Sequence, residues 1–182
     1  AKADPSLSDA GREQAADCGD FLKATQIDAV YSSPLQRARQ TAEVIAERQG
    51  LAVQIVDSLI ECDLGDWEGL DWNEVMEQHP QEYAAFMDDP GTHGYAGGED
   101  FTQVADRVAP AFEELLRKHA GESIAVVAHN IVNRSYLSRV MDLPLRFARR
   151  IHQDNGGVNF IRMRDGTVKV KTMNAVFHLR RD

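Results

Sequence analysis

The sequence contains only two cysteines, Cys18 and Cys62, and no apolar run near the roughly 20 residues that a membrane-spanning helix needs. Two cysteines cannot form a disulfide framework, and no histidine accompanies them at a zinc-ligand spacing. The sequence also lacks a secretory signal, a phosphate-binding glycine loop and a dinucleotide-binding glycine fingerprint. These absences predict a cytoplasmic protein with no membrane partner.

Positive charge is also scarce, because 20 lysines and arginines face 29 aspartates and glutamates, for a formal net charge of −9. Non-specific binding to nucleic acid requires a basic face, so we expect no nucleic-acid partner. A local cluster of arginines can still hold an anionic ligand on an otherwise acidic protein. The composition leaves the oligomeric state open, and a homodimer is one arrangement that it permits.

The pattern of apolar residues predicts one α/β domain over residues 1–182. Helical stretches alternate with short apolar segments, which favours a three-layer architecture with helices on both faces of a mostly parallel sheet. Ser-Ile-Ala-Val-Val-Ala at 123–128 is a continuous apolar run, as expected for a strand covered on both faces. The other predicted strands lie at 28–31 and 52–56, with a closing antiparallel pair at 158–163 and 168–173 expected at one edge of the sheet.

Capping residues mark the starts of three helices. Ser8 is a candidate N-cap, and Ser33 followed by Pro34 predicts a second helix start. Asp100 and Gln103 match a capping box. The helices predicted from these starts run over 7–23, 34–48 and 101–119, with a further helix over 131–141 and short helices over 72–77 and 81–87 within the irregular region 58–98.

Residues 31–42, Tyr-Ser-Ser-Pro-Leu-Gln-Arg-Ala-Arg-Gln-Thr-Ala, place a strand end directly before a helix N-terminus. Unpaired N–H groups and the helix dipole favour anions at such a terminus. Arg37 stands one turn inside the helix, where its guanidinium group could bind two phosphate oxygens. The alternative is a well-capped amphipathic helix with two solvated arginines, and the pattern alone does not decide between the two.

Residues 59–69, Leu-Ile-Glu-Cys-Asp-Leu-Gly-Asp-Trp-Glu-Gly, combine four carboxylates and a tryptophan in a loop punctuated by glycine. A carboxyl group shielded beside an aromatic ring can keep its proton near neutral pH and act as a general acid. Glu61 is the candidate for this role. The alternative is an acidic surface loop, and for any single carboxylate in this segment a solvated position is the commoner case.

His129 stands at the end of the apolar strand and directly before a helix, in Val-Val-Ala-His-Asn-Ile-Val-Asn-Arg. In a parallel sheet, binding sites lie beyond the carboxyl ends of the strands, which favours a functional role over a core histidine bonded to a backbone carbonyl. The remaining five histidines have no ligand spacing and are interpreted as structural or solvated.

These motifs together resemble the histidine phosphatase superfamily, also called the phosphoglycerate-mutase-like family. Ser-Ser-Pro-Leu-x-Arg-Ala-x-Gln-Thr-Ala at 32–42 resembles its phosphate-binding arginine motif, and 61–69 resembles the segment with its proton-donating glutamate. His129 matches its second active-site histidine, Gly97-Gly98-Glu99 resembles the turn before its long helix, and 174–179 resembles a common ending. The resemblance implies a phosphoglycerate-mutase-like fold, a phosphohistidine intermediate, a small phosphorylated substrate, and no metal or other cofactor.

Two departures from the family pattern qualify this resemblance. The family's first strand ends in Arg-His-Gly, whose histidine is phosphorylated, and no such triplet occurs in this sequence. We expect that segment to precede the chain, so that the domain described by these residues lacks its first strand. Many relatives have Ser-His-Gly where this chain has Ala128-His129-Asn130. The backbone N–H of Asn130 remains a candidate phosphate ligand, whereas the close approach that glycine permits is lost.

The activity so predicted is hydrolysis of a phosphoric monoester of a small metabolite, with Glu61 and His129 as catalytic residues and Arg37 and Asn130 as phosphate ligands. The weaker pocket candidates are Asn133, Arg134 and Asn155. A phosphoglycerate-type phosphomutase is the nearest enzymatic alternative. An inactive phosphate-binding or regulatory module is the alternative from another class of protein.

Overall fold

The computed structural model describes residues 4–180. Its strands are β1 (Ala29–Ser32), β2 (Val53–Ile55), β3 (Ile124–Val127), β4 (Val158–Arg164) and β5 (Thr167–Ala175). Its α-helices are α1 (Asp9–Leu22), α2 (Gln36–Gln49), α3 (Trp72–Gln78), α4 (Pro80–Asp88), α5 (Phe101–Lys118) and α6 (Asn130–Val140). Shorter 3₁₀ turns cover Asp57–Leu59, Gly65–Trp67 and Leu145–Arg150. None of the helices within the described part of the chain is long and apolar enough to cross a bilayer.

Strand β1 is the centre of a three-stranded parallel sheet with the order β2-β1-β3. Successive side chains of a strand point to opposite faces, and β1 follows this rule. Val30 packs in a cluster with Ile45 of α2, whereas Tyr31 packs in a cluster with Leu115 of α5. Helices therefore cover both faces of the sheet, and the predicted three-layer α/β architecture is confirmed.

Two of the three predicted helix caps are present. The Ser8 hydroxyl accepts a hydrogen bond from the Gly11 N–H at the start of α1. Asp100 and Gln103 form a reciprocal capping box at the start of α5, in which each side chain accepts a bond from the other residue's backbone N–H. These caps fix the two helix starts because they satisfy N–H groups that lack partners within the helix.

The predicted cap at Ser33 is wrong, because α2 begins at Gln36 with Leu35 as its N-cap. The Ser33 hydroxyl instead accepts a hydrogen bond from the Leu35 N–H at 3.3 Å, within the loop that precedes the helix. The anion at the start of α2 is the Asp4 carboxylate, which accepts the Gln36 N–H at 2.6 Å. A ligand would therefore have to share this helix N-terminus with a carboxylate of the chain itself.

Strands β4 and β5 form the predicted antiparallel pair. Asp165 and Gly166 connect them with positive φ angles of 51° and 74°, as a tight two-residue hairpin requires. Within residues 4–180 the hairpin is a two-stranded sheet of its own and is not hydrogen-bonded to the parallel strands. Strand β3 pairs with β1 alone among the described strands, and its four side chains are half-buried rather than fully covered as expected.

Candidate active site

Residues from two neighbouring parallel strands meet at the carboxyl edge of the sheet. Ser33 follows β1 and His129 lies two residues after β3, where it is the N-cap of α6. The Ser33 Oγ lies 2.7 Å from the His129 Nε2, and both side chains are buried. The sequence indicated His129 but not Ser33, since a serine before a helix is more typical of a cap than of a partner for a distant ring.

His129 is held as a neutral imidazole. Burial lowers its pKa to about 3, and the positive charge of Arg37 contributes to the same shift. Both effects disfavour the charged ring, because one removes water and the other places a like charge nearby. A neutral imidazole has one N–H donor and one acceptor nitrogen, and a ligand that binds Nε2 would share or replace its contact with the Ser33 hydroxyl.

Arg37 lies in the first turn of α2 and is half-buried. It forms no ion pair with any residue of the range that the structure describes, 4–180. Its charge nevertheless acts on two groups from other elements, since it lowers the pKa of His129 and opposes the rise in the pKa of Glu61. Arg37 therefore stands near both of the other predicted site residues.

Glu61 is brought to the same edge by the N-terminus of α6. Its Oε1 accepts the Cys62 N–H at 2.9 Å and its Oε2 accepts the Ile131 N–H at 3.3 Å, and the Val132 N–H lies near enough to favour the charged form of the carboxyl. Burial raises the pKa of the Glu61 carboxyl, while these backbone bonds and the charge of Arg37 oppose the rise without cancelling it. Glu61 consequently keeps its proton to a higher pH than a solvated glutamate.

A partly buried ion pair fixes the backbone on both sides of Glu61. Arg107 of α5 binds Glu99 through two contacts, Nε to Oε1 at 2.7 Å and Nη2 to Oε2 at 2.9 Å. The Nη1 of Arg107 also donates to the carbonyl oxygens of Ser58 at 2.7 Å and Ile60 at 2.8 Å. We call Glu99 and Arg107 the Glu99–Arg107 clamp.

The Glu99–Arg107 clamp also reaches past Glu61 on its C-terminal side. Oε2 of Glu99 accepts the Asp63 N–H at 2.9 Å, so the pair holds the chain at positions 58, 60 and 63. Gly65 and Gly98 let the two loops approach closely, since a Cβ on Gly98 would lie 2.2 Å from the Asp63 oxygen. Sequence reasoning gave Glu99 no role beyond its turn and did not identify Arg107, because no pattern links an arginine inside a helix to carbonyls nearly 50 residues earlier.

The other predicted pocket residues lie in different surroundings. The Asn130 side chain donates to the Gln153 carbonyl at 3.0 Å, and the Asn133 N–H donates to the His129 carbonyl as part of α6. Nε of Arg134 donates to the Ile151 carbonyl at 2.8 Å.

Asn155 lies apart from these residues. It lines a cavity of about 430 Å³, together with Gln14 and Arg180. None of Arg37, Glu61 and His129 lines that cavity. The structure thus places Asn155 away from the three residues that converge.

Within residues 4–180, no three histidine, cysteine or carboxylate side chains lie close enough together to hold a metal ion. The side chains that converge are instead a cation, a neutral imidazole and a carboxyl group with a raised pKa. A guanidinium group and an imidazole can bind the oxygens of a tetrahedral anion, and a protonated carboxyl can donate to a leaving alkoxide. This combination suits transfer of a phosphoryl group away from an alcohol.

Comparison with known proteins gives a consistent result. A family model described as the histidine phosphatase superfamily (branch 1) matches residues 1–176. Phosphoserine phosphatase 1 of Hydrogenobacter thermophilus is 32% identical over 176 residues, covering 97% of this chain and 83% of the relative. The metal-independent phosphoserine phosphatase of Arabidopsis thaliana is 35% identical over 181 residues, covering 95% and 72%. Among solved structures, Bacillus stearothermophilus YhfR matches with a TM-score of 0.91 and 28% identity, covering 97% of this chain and 88% of that one.

Proposed function

This chain belongs to the histidine phosphatase superfamily, and we propose that it hydrolyses phosphoric monoesters of small metabolites through a phosphohistidine intermediate. The observation that carries the proposal is the convergence of Arg37, Glu61 and His129 at the carboxyl edge of the parallel sheet. The names of relatives support it as well, because two of them are phosphoserine phosphatases.

In this proposal Arg37 and His129 hold the phosphoryl group. The guanidinium group offers two parallel N–H donors to phosphate oxygens, and Arg37 has no carboxylate partner among the described residues to compete for them. The neutral His129 ring supplies a third polar contact. Charge spreads over the equatorial oxygens in the transition state, so fixed donors lower its energy more than that of the bound ester.

Glu61 acts as the general acid and then as the general base. In the first step the histidine nitrogen bonds to phosphorus, the ester P–O bond breaks, and the Glu61 proton passes to the departing alcohol oxygen. In the second step Glu61 takes a proton from water, whose oxygen bonds to phosphorus while the P–N bond breaks and phosphate leaves. The raised pKa of Glu61 supports this role, since the acid form must be present at working pH.

We place the nucleophilic histidine on an Arg-His-Gly strand that precedes residue 1. Within residues 4–180, β3 pairs with a strand on one edge only, and its side chains are half-buried. Val126 of β3 and Ile161 of β4 pack against the same core cluster, although their strands belong to different sheets. A strand between β3 and β4, parallel to β3, would cover both edges and end beside His129.

We also propose a cytoplasmic location. Cys18 and Cys62 are both buried free thiols. Structural disulfides are typical of oxidising compartments, whereas free thiols suit a reducing one.

The direct test is to trap the intermediate. The full-length protein is mixed with a ³²P-labelled phosphate ester, quenched in base and analysed for protein-bound label. We expect label that is stable in base and released in acid, together with steady release of inorganic phosphate that excess chelator does not reduce. Phosphate binding without label or turnover would instead identify an inactive binding module.

A further inference from the structure

Five arginines in residues 4–180 are half-buried, and they divide into two groups. Arg48 pairs with Asp20 at 2.9 Å, and Arg107 pairs with Glu99 at 2.7 Å. The other three, Arg37, Arg134 and Arg149, form no ion pair with any residue described. Partly buried charges without a counter-ion are costly in an acidic protein that has carboxylates to spare, so this second group points to anionic ligands.

Arg134 lies near both Arg149 and Glu61, whose charges act on it. Arg134 is one helical turn after Ile131, whose N–H binds the Glu61 carboxylate. Its Nε is anchored to the carbonyl of Ile151, the residue that directly follows the 3₁₀ turn containing Arg149. This single contact orients the Arg134 guanidinium group, and no described residue accepts a hydrogen bond from its two terminal nitrogens.

Aromatic rings hold the second guanidinium group in place. The Cζ of Arg149 lies 5.2 Å from the centre of the Phe86 ring and 6.0 Å from that of Trp72. The Tyr95 ring is 4.8 Å from Phe86, which places a phenol in the same cluster. The Arg149 Nη1 donates to the Met87 Sδ, whereas no described residue accepts a hydrogen bond from its Nε or Nη2, so these edge N–H groups are available for a planar or tetrahedral anion.

The four polar groups influence one another electrostatically. Burial lowers the pKa of Arg134, and the positive charge of Arg149 lowers it further, whereas Tyr95 and Glu61 act in the opposite direction. Burial likewise raises the pKa of Tyr95, and Arg149 and Arg134 oppose that rise. Arg149 thus places a like charge near Arg134, and one anion shared by the two guanidinium groups would relieve this repulsion.

We propose that Arg134 and Arg149, assisted by the Tyr95 hydroxyl, bind a second anionic group on the alcohol portion of the substrate. The inference rests on the proposed function, because it uses Glu61 to define the leaving-group side. Arg37 marks the phosphoryl side, and Glu61 donates to the ester oxygen between the two. The substrate class is then a phosphate monoester that also bears a carboxylate or a second phosphate.

The test compares esters matched except for that group, using the full-length protein. The first pair is 3-phosphoglycerate and glycerol 3-phosphate, which differ by a carboxylate. The second pair is 1,3-propanediol bisphosphate and 3-hydroxypropyl phosphate, which differ by a phosphate. We expect kcat/KM to be about 10- to 100-fold higher for the doubly anionic member of at least one pair, as one or two charge-assisted bonds provide. The pair with the larger ratio identifies whether the anion is a carboxylate or a phosphate.

Substitutions of Arg134 and Arg149 test whether these residues cause the preference for the doubly anionic ester. Arg134→Met and Arg149→Met should each lower kcat/KM for the preferred ester by about 10-fold or more and leave its singly anionic partner within about twofold. Arg139→Met, on α6 but exposed and paired with Asp106, and the exposed Arg150→Met are matched controls that should change neither. Arg134→Met also removes the bond to the Ile151 carbonyl and could destabilise α6, which a lowered melting temperature would reveal. In that case Arg149→Met, which keeps this bond, decides the test.

Failure of this inference differs from failure of the proposed function. Equal kcat/KM for both members of both pairs, or an equal loss for both in the variants, would overturn the second anion subsite while leaving the phosphatase intact. If no ester is hydrolysed at all, calorimetric binding of 3-phosphoglycerate and glycerol 3-phosphate decides instead. Tighter binding of 3-phosphoglycerate that Arg134→Met and Arg149→Met abolish would still support the subsite, and equal binding would exclude it.

Discussion

Arg107 and Arg37 are both half-buried arginines close to Glu61, but their surroundings differ. Arg107 is fully engaged, with two contacts to Glu99 and two to backbone carbonyls. Arg37 has no ion-pair partner within residues 4–180, and after burial its charge is the larger cause of the lowered pKa of His129, ahead of the charge of Arg107. The comparison indicates that one arginine stabilises the loop that carries the acid, whereas the other is prepared for a ligand.

The free-energy cost of partly burying each arginine also differs. Desolvation of the Glu99–Arg107 clamp is offset by good geometry and by hydrogen bonds to backbone groups, so removing either partner leaves a charge behind. Arg37 has no such offset among the described residues, and its stabilisation must come from water or from a bound anion. We therefore expect substitutions in the two places to affect different measurements.

The largest effect is expected from Arg37→Ala in the full-length protein. Removal of a fixed cation from the phosphoryl group should lower kcat/KM on the order of 10³-fold, with little change in melting temperature. Steady-state kinetics with an aryl phosphate measure the loss. Arg39→Ala, an exposed arginine of the same helix, is the matched control and should retain activity. Near-native turnover of Arg37→Ala would contradict the assignment of Arg37 as a phosphate ligand.

Arg107→Met should show the opposite profile, with a loss of stability exceeding the loss of phosphate affinity. Glu99 would remain partly buried without its partner, and we expect the free energy of unfolding to fall by about 2 to 3 kcal/mol. Urea titration measures this change, and calorimetry with inorganic phosphate measures affinity. The double variant Arg107→Met/Glu99→Gln should recover part of the stability. A fully stable Arg107→Met protein would show that the clamp does not hold the loop.

Glu61→Gln tests the carboxyl group on which the charge of Arg37 acts and whose loop Arg107 holds. An amide cannot donate an acidic proton, so alkyl phosphates should be hydrolysed on the order of 10²-fold more slowly. p-Nitrophenyl phosphate has a leaving group that needs little protonation and should be slowed by less than about 10-fold. Equal losses for both substrates would reject general-acid catalysis by Glu61.

The protonation of Glu61 also predicts a pH dependence. Burial raises its pKa, so the acid form persists as the pH rises and is lost only above the raised value. For alkyl phosphates kcat should therefore fall on the alkaline side as Glu61 ionises, and this limb should be absent in Glu61→Gln. An alkaline limb that survives the substitution would assign the titration to another group.

The smallest effect concerns the charge that His129 experiences. Its pKa is lowered to about 3, so the ring should stay neutral down to about pH 4 in nitrogen-resolved NMR spectra of the free protein. The depressed value also means that stability is lost as the pH falls from the ordinary value of a solvated histidine, about 6.5, toward 3. Arg37→Ala should raise the pKa of His129 modestly, because burial remains the larger cause. No change at all would place Arg37 too far away to share a ligand.

Much of the fold followed from local patterns. The Asp100–Gln103 capping box and the Asp165-Gly166 turn both rest on residues within three positions of one another, and both are present. The Ser33 cap failed because two groups distant in sequence, Asp4 and His129, compete for the polar atoms of that loop. The half-exposure of β3 was also missed, since an apolar run alone does not reveal how many strands pair with it.

In the candidate site, too, some features were predictable from sequence and others depend on tertiary contacts. Arg37, Glu61 and His129 were predictable from sequence, because each stands in a motif whose local pattern and family resemblance both indicate a role. Nothing in the motifs indicated that Glu61 binds the first N–H groups of α6, because the two segments are 70 residues apart. The Glu99–Arg107 clamp depends on tertiary contacts with the carbonyls of residues 58 and 60, which carry no side-chain signal.

The most direct measurement is a crystal structure of the full-length protein with vanadate, which mimics the transition state of phosphoryl transfer. We predict one vanadate at the carboxyl edge of the sheet, with the Arg37 guanidinium group and the His129 ring within hydrogen-bonding distance of its oxygens and the Glu61 carboxyl facing its apical oxygen. Vanadate bound elsewhere, or contacting only one of these three side chains, would contradict the proposed reaction.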